Sequence, residues 1–458
     1  MSVAIMVFSS IDFIFGFLPV FLLIYAVCPF RWKNLCLFAG SLFFYYSGVK
    51  ENPSYLFLFL CSIGVNYILG ILIGNRKRER KKWLIIGIIY NFFWLFLFKY
   101  SGFFIQNLNG IVSFFGLPVQ IPAFEPVLPI GISFYTFQNV SYLADVYRRR
   151  VSFERSFTNY GMYISMFPQL IAGPIVTYSS VRSRIRKRKS SLKMIANQIG
   201  GLWKNVEAIG FESISTPLAW LGLVSFSLQI YFDFYGYSLM AKGLGNILGF
   251  RFPRNFPHPY LSTSMTEFWR RWHITLGSWI REYVYIPLGG NREGFWKPTR
   301  NLLVVWLLTG FWHGASWNFI LWGLVMFLLI FLEKLGLGKL FARRPMAGHI
   351  YMLFAIPFTW MLFAITDLSQ IAIYFQRLFP FLAQEGEFTY FTGDFLKYAG
   401  SYALSLCAGL IFITPVPKNL YNRWKNTPVS ALILLIVFWG CVYCMKMGMD
   451  DPFLYFRF

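Results

Sequence analysis

Charge is scarce in this chain. Asp, Glu, Lys and Arg together make up 13% of its 458 residues, about half the quarter that soluble domains carry. Acid is the scarcer sign, with 19 Asp and Glu against 42 Lys and Arg. From Ser101 to Tyr147 there is no Lys or Arg at all. Cysteine is sparse too. Cys441 and Cys444 form a lone C-x-x-C, and no second cysteine or histidine pair accompanies it. That argues for buried packing and against zinc or redox chemistry. There is no GxSxG, Walker loop, HExxH or Rossmann fingerprint, so the standard catalytic and nucleotide-binding sets are missing. A basic n-region is also lacking ahead of the first apolar stretch, where Asp12 is the first charge. That stretch reads as an uncleaved first span.

Apolar residues are abundant, at 57% hydrophobic and 21% aromatic. This composition belongs to a polytopic membrane protein. The net charge of +23 lies in short runs between apolar segments, as in cytoplasmic loops, so nucleic acid is not the expected partner. Apolar segments lie near 13–29, 35–49, 54–74, 83–100, 127–146, 160–176, 217–232, 234–250, 301–332, 350–366, 398–414 and 429–446. They predict an all-α fold of about 10–12 transmembrane or re-entrant helices at ~20 residues per span. The basic patches at 31–33, 76–82 and 148–155 are expected to face the cytoplasm, and the weakly charged 101–126 to face outward.

Three stretches break the simple pattern. NYGMYISMFPQLIAGPIV is flanked on both sides by basic runs and carries Pro168, Gly173 and Pro174. It is expected to be a re-entrant hairpin, with its broken backbone covered by protein or water. FWRRWHITLGSWIREYVYIPLGGNR at 268–292 reads as an interfacial or buried amphipathic helix followed by a Gly-Gly turn. The run 301–332 is too long for one upright helix, at ~48 Å against a ~30 Å core. It is steeply tilted or broken, and Gly310 and Gly314 stand where a break would fall. No internal repeat is visible, which argues against most transporter folds.

His313 lies inside that run, between Trp312 and Gly314. An ionisable group among apolar residues needs partners or water and is often functional. Continued as a helix, the run would put Thr309 and Trp317 on the same face. Asn318 offers an amide to orient a ring nitrogen or a substrate carbonyl. Imidazole suits proton abstraction from a hydroxyl near neutral pH. A core histidine bonded to a neighbouring helix is the bland alternative. His273, in RRWHIT, reads equally well as a snorkelling interfacial residue. His258 sits in the proline-locked NFPHPY and His349 after a basic loop. Asp233, in QIYFDFYGY, must be paired if buried, and could either hold structure or orient a histidine. Arg270, Arg271 and Arg281 could take the phosphates of an anionic thioester donor.

These motifs carry a resemblance. FPQLIAGPIV, QIYFDFYGYSLMAKGLGNILGF, NFPHPY, FWRRWHITLGSWIREYVYIPLGGNR and TGFWHGASWNFILWG resemble the membrane-bound O-acyltransferases. MVFSS at 6–10 and the ending PFLYFRF resemble their bacterial alginate O-acetyltransferase branch. The chain departs from the usual FDFSGYSDMA of that branch at Tyr235, Leu239 and Lys242, and is shortened after Ser190.

The resemblance implies one membrane domain over 1–458: spans in 1–150, re-entrant and interfacial helices with Asp233 and His273 in 151–300, and the His313 helix with the last spans in 301–458. It implies His313 and His273 as catalytic residues. Asp233, Asn318, Trp312 and Trp317 would support them. Acetyl-CoA is the implied donor, no cofactor or metal is bound, and an extracytoplasmic SGNH-like acetyltransferase is the implied partner. The acceptor would be a polysaccharide, and the location a multi-pass position in the plasma membrane. D-alanyl transfer to teichoic acid, transport of a lipid-linked anionic sugar, and a non-catalytic role in an export complex are the rival readings.

Overall fold

The computed structural model describes residues 10–76, 78–124, 126–170, 173–186, 201–292, 294–382 and 393–446. The shortened stretch after Ser190, the ending PFLYFRF and all of MVFSS but Ser10 lie outside them. Among the described residues every long element is a helix and there is no strand, as the apolar pattern predicts. The chain packs as two compact units and passes between them several times, inside helices at Gly236–Tyr237 and Cys441–Val442.

The first unit holds α1 (Asp12–Val27), α2 (Lys33–Gly48), α3 (Ser54–Asn75), α4 (Arg80–Lys99), α5 (Ser101–Phe114), α6 (Ile132–Tyr147), α7 (Phe157–Ser165), α8 (Phe167–Leu170) and α9 (Tyr178–Arg186). Side-chain amides tie its helices together. Asn66 on α3 and Asn91 on α4 donate to each other at 3.1 and 2.7 Å. Asn139 on α6 donates to Asn91 at 3.3 Å and to Ser62 at 3.2 Å, and accepts from the Tyr160 hydroxyl on α7 at 2.7 Å. Apolar surroundings give helices little reason to associate, so buried polar pairs of this kind hold them in register, at about 0.6–2 kcal/mol each.

The 160–176 stretch does not span. α7 has nine residues, about 13 Å at 1.5 Å per residue. It ends at Met166, whose φ of −47° and ψ of 107° leave the helical region. Every residue from Tyr160 to Leu170 is buried. The Phe167 N–H donates to Ser41 Oγ at 3.2 Å, and the Gln169 amide donates to the Tyr163 carbonyl. Protein therefore covers the broken backbone, as a re-entrant segment requires.

The second unit takes α10 (Gly201–Ile209), the first part of α11 (Thr216–Ile247), α12 (Met265–Arg271), α13 (Ile274–Ile280), α14 (Trp296–His313), α15 (Trp317–Leu332), α16 (Gly338–Arg343), α17 (Pro345–Ala364), α18 (Leu368–Leu378), α19 (Asp394–Phe412), α20 (Val416–Trp424) and α21 (Pro428–Lys446) as far as Cys441. Two expectations change. The segments 217–232 and 234–250 are one unbroken helix, the 32-residue α11, because nothing between them interrupts hydrogen bonding. The run 301–332 is two helices, broken at Gly314, whose φ of −164° is extended. Among the described residues six helical stretches are long and apolar enough to cross a membrane: α3, α4, α11, Trp317–Arg343, α17 and α19.

A carboxylate fixes the short helices of this unit. Glu333, just past α15, is buried and accepts from the Met265 N–H at 2.5 Å, the Thr266 N–H at 2.9 Å and the Thr266 hydroxyl at 2.6 Å. Those are first-turn donors of α12, which no helical carbonyl can satisfy, and the helix dipole favours an anion there. Ser264 caps the same end by accepting from the Glu267 N–H at 3.1 Å. Replacing Glu333 by Ala leaves buried donors unpaired. The expected loss is about 2–4 kcal/mol, read as a lower thermal midpoint of the detergent-purified protein.

Candidate active site

His313 is the last residue of α14, and α15 starts at Trp317. The two helices form a hairpin whose tip carries the histidine. Glycines let them approach: an added Cβ at Gly323 would lie 2.5 Å from the Trp306 carbonyl oxygen, and one at Gly310 would collide with the Phe319 carbonyl. At the tip, a side chain on Gly314 would enter the Phe319 ring. Thus GFWHG supplies small residues where the backbones meet and the imidazole between them.

The imidazole is half-buried in an aromatic cage. Its centroid lies 4.8 Å from Trp312, 5.2 Å from Trp322 and 5.1 Å from Phe363, with rings inclined at 66°, 84° and 78°. Edge-to-face rings of this kind hold orientation as well as bury area. Asn318 is fully buried and donates to the Leu362 carbonyl at 3.0 Å. That bond fastens the start of α15 to the end of α17, where Phe363 stands.

His273 sits in a second break. α12 ends at Arg271, Trp272 is extended, and His273 adopts φ 45° and ψ 52° before α13 begins. A left-handed conformation is unusual for a bulky residue and persists only where the surroundings enforce it. Asn255 enforces it here: its carbonyl accepts from the Ile274 N–H at 3.2 Å and its side chain from the Thr275 N–H at 2.9 Å. The imidazole is buried against Phe256 at 5.7 Å and Phe234 at 6.4 Å. Its Nδ1 finds no partner beyond its own backbone. Burial pushes its pKa from the ordinary 6.5 down to about 4, so it is neutral near pH 7. The amphipathic reading of 268–292 is corrected in one respect: two short helices, not one, flank the histidine.

The two histidines belong to one aromatic row. From His273 the rings run through Phe256, Trp272, Trp360 and Phe363 to His313, with successive centroids 5.7, 5.1, 5.0, 5.5 and 5.1 Å apart. Asp233 is buried on α11, next to the Phe234 that touches His273. Other candidates fall elsewhere. Trp317 is 54% exposed, and the break at Gly314 removes it from the helical face of His313, where Thr309 remains. Arg270 and Arg281 are exposed. Arg271 is engaged by Glu267 and reaches the His258 carbonyl at 3.5 Å. His258 serves a turn: its Nδ1 is 3.0 Å from the Ile413 carbonyl oxygen. Sequence reasoning missed Trp322, Phe363, Trp360 and Trp269. Trp322 lies nine positions beyond His313, and only a hairpin folded at Gly314 brings the two rings together.

The chain is similar to known proteins along most of its length. Residues 50–375 match the model of MBOAT, the membrane-bound O-acyltransferase family. A probable alginate O-acetylase AlgI of Pseudomonas putida is 33% identical over 494 aligned residues, 99% of this chain and 100% of that protein. Its counterpart in Azotobacter vinelandii is 40% identical over 336 residues, 69% of this chain and 66% of that protein. A peptidoglycan O-acetyltransferase of Helicobacter pylori is 38% identical over 375 residues, 71% of this chain and 70% of that protein.

Two outcomes are expected. Gly310→Ala drives a methyl into the Phe319 carbonyl and separates α14 from α15. A displacement of about 1 Å at a reacting group costs on the order of 100-fold in rate, so activity falls by that order, whereas Gly16→Ala, with open space around its Cβ, leaves the rate unchanged. His273 gives a pH signature. Between its ordinary 6.5 and the folded value of about 4, the unfolded chain binds a proton that the folded chain refuses. Stability is therefore full above that window and lost as pH falls through it. Thermal midpoints at about pH 7 and about pH 5 should drop for wild type and drop less for His273→Gln.

Proposed function

The chain belongs to the MBOAT family of membrane-bound O-acyltransferases, and on that premise we propose that it carries an acetyl group from cytoplasmic acetyl-CoA to a hydroxyl of an extracytoplasmic glycan. Acyl transfer in a membrane follows from the family. The acetyl group and the glycan are supported by relatives named for O-acetylation of alginate and of peptidoglycan. The donor side is supported by the basic runs at 31–33, 76–82 and 148–155, which the positive-inside rule assigns to the cytoplasm. On this reading the protein resides in the plasma membrane and hands its product to an SGNH-like extracytoplasmic acetyltransferase that completes transfer to the polysaccharide.

One observation carries the mechanism: a half-buried imidazole at a covered helix break, held by three rings. His313 takes the proton of the acceptor hydroxyl as the oxygen's lone pair forms a bond to the thioester carbonyl carbon. The carbonyl π pair moves onto its oxygen. When that tetrahedral species collapses, the C–S bond breaks and the sulfur leaves with its electron pair, taking the proton back from His313. The C-terminal end of α14 favours the imidazolium formed in between. Neutral His273 orients donor or acceptor, with Asp233 behind it on α11. Exposed Arg270 and Arg281 are free to meet the phosphates of the donor, whereas Arg271 is occupied by Glu267.

The test is labelled acetyl-CoA supplied to the basic-loop face of reconstituted vesicles with partner and glycan present. Label is expected on the acceptor across the membrane, and His313→Ala should lower the rate by about 10²–10⁴-fold, the span of general acid–base catalysis. Transfer from a D-alanyl carrier in place of acetyl-CoA would reassign the donor. An undiminished rate in His313→Ala would remove the assigned base.

A further inference from the structure

We propose that the indole N–H groups of Trp322 and Trp269 form the oxyanion-binding pair for the thioester carbonyl; this rests on the acyl-transfer reading above. The tetrahedral step puts negative charge on the carbonyl oxygen, and preorganised donors aimed at such an oxygen account for much of the catalysis in acyl transfer.

One ring of the cage around His313, Trp322, and the Trp269 packed behind it carry such donors. Trp322 is fully buried, and its Nε1 has no hydrogen-bond partner. Trp269 Nε1 is likewise buried and unpartnered. An unmet buried N–H is costly and calls for an explanation. Most of the rings packed on them offer no acceptor. The two indoles pack against each other at 5.8 Å, and Trp306 packs against them at 4.8 and 6.0 Å. Phe363 lies 5.5 Å from Trp322. Those rings carry no lone-pair acceptor.

Position does the rest. Trp322 stands edge to face on His313, with centroids 5.2 Å apart, so its indole is in direct contact with the base. Trp269 adds the second donor from α12, the helix that leads into His273. Asn318, the donor that the sequence suggests, has its amide nitrogen engaged by the Leu362 carbonyl. Its Oδ1 is an unpartnered acceptor and would repel an oxyanion. Indole donors also suit a thioester. They carry no charge, so they bind the ground-state carbonyl weakly and the developing anion strongly, which acts on kcat more than on KM.

The experiment replaces the donor without changing the ring. Benzothienylalanine at position 322, and separately at 269, substitutes sulfur for the N–H and keeps the bicyclic shape. Each is expected to lower kcat for acetyl-CoA by about 10²–10³-fold, the cost of one oxyanion donor, with KM within about threefold and the thermal midpoint unchanged. A kcat within about twofold of wild type in both would overturn the proposal. His313→Ala is measured alongside. If it is inactive while both sulfur variants are fully active, the oxyanion pair fails and the acyl-transfer reading stands. If it is fully active, the assigned base fails as well.

Discussion

A helix inside hydrocarbon is expensive to interrupt, because each freed N–H and C=O must find a new partner without water. The two candidate histidines both lie where a helix stops, and there the same accounting applies. α14 stops at His313 and α12 stops just before His273. Neither break is left open. Asn255 satisfies the start of α13, and Asn318 fastens the start of α15 to the Leu362 carbonyl. At the start of α13 a buried side chain therefore takes over a helical hydrogen-bonding role, and at the start of α15 one ties the hairpin to α17.

Aromatic packing then sets the surroundings of those imidazoles. His273 is fully enclosed and stays neutral, while His313 remains half-buried. The difference suits two roles. On the proposed reading a base must be reached by a hydroxyl and by a thioester, and of the two imidazoles the one at the hairpin tip is the less buried. The row of rings between the histidines excludes water, and a dry environment strengthens hydrogen bonds and charges within it. Glu333 and Ser264 anchor α12 at its other end, so the row has fixed supports on both sides.

Much of this was legible in the sequence because hydrocarbon imposes simple rules. Composition gave the class, and paired prolines and glycines marked the covered segment after α7. Gly310 and Gly314 marked the break in 301–332. The residues that failed to announce themselves did so for physical reasons. Trp322 and Phe363 reach His313 only through a hairpin and a third helix, and sequence spacing along one helix cannot show that. Trp317 is drawn in by the same logic in reverse: i+4 spacing holds only where the helix continues, and it ends at His313. The segments 217–232 and 234–250 meet at Asp233, and a carboxyl group does not break backbone hydrogen bonding, so the helix runs on.

The central claim is that His313 acts through its imidazole and not through its packing. Chemical rescue tests it most directly. His313→Gly, purified and folded, is assayed for acetyl transfer with increasing free imidazole. The account predicts a rate that rises with imidazole concentration and with the fraction of imidazole that is unprotonated. A folded variant whose residual rate is indifferent to imidazole, while accepting a thioester donor with unchanged affinity, would contradict it.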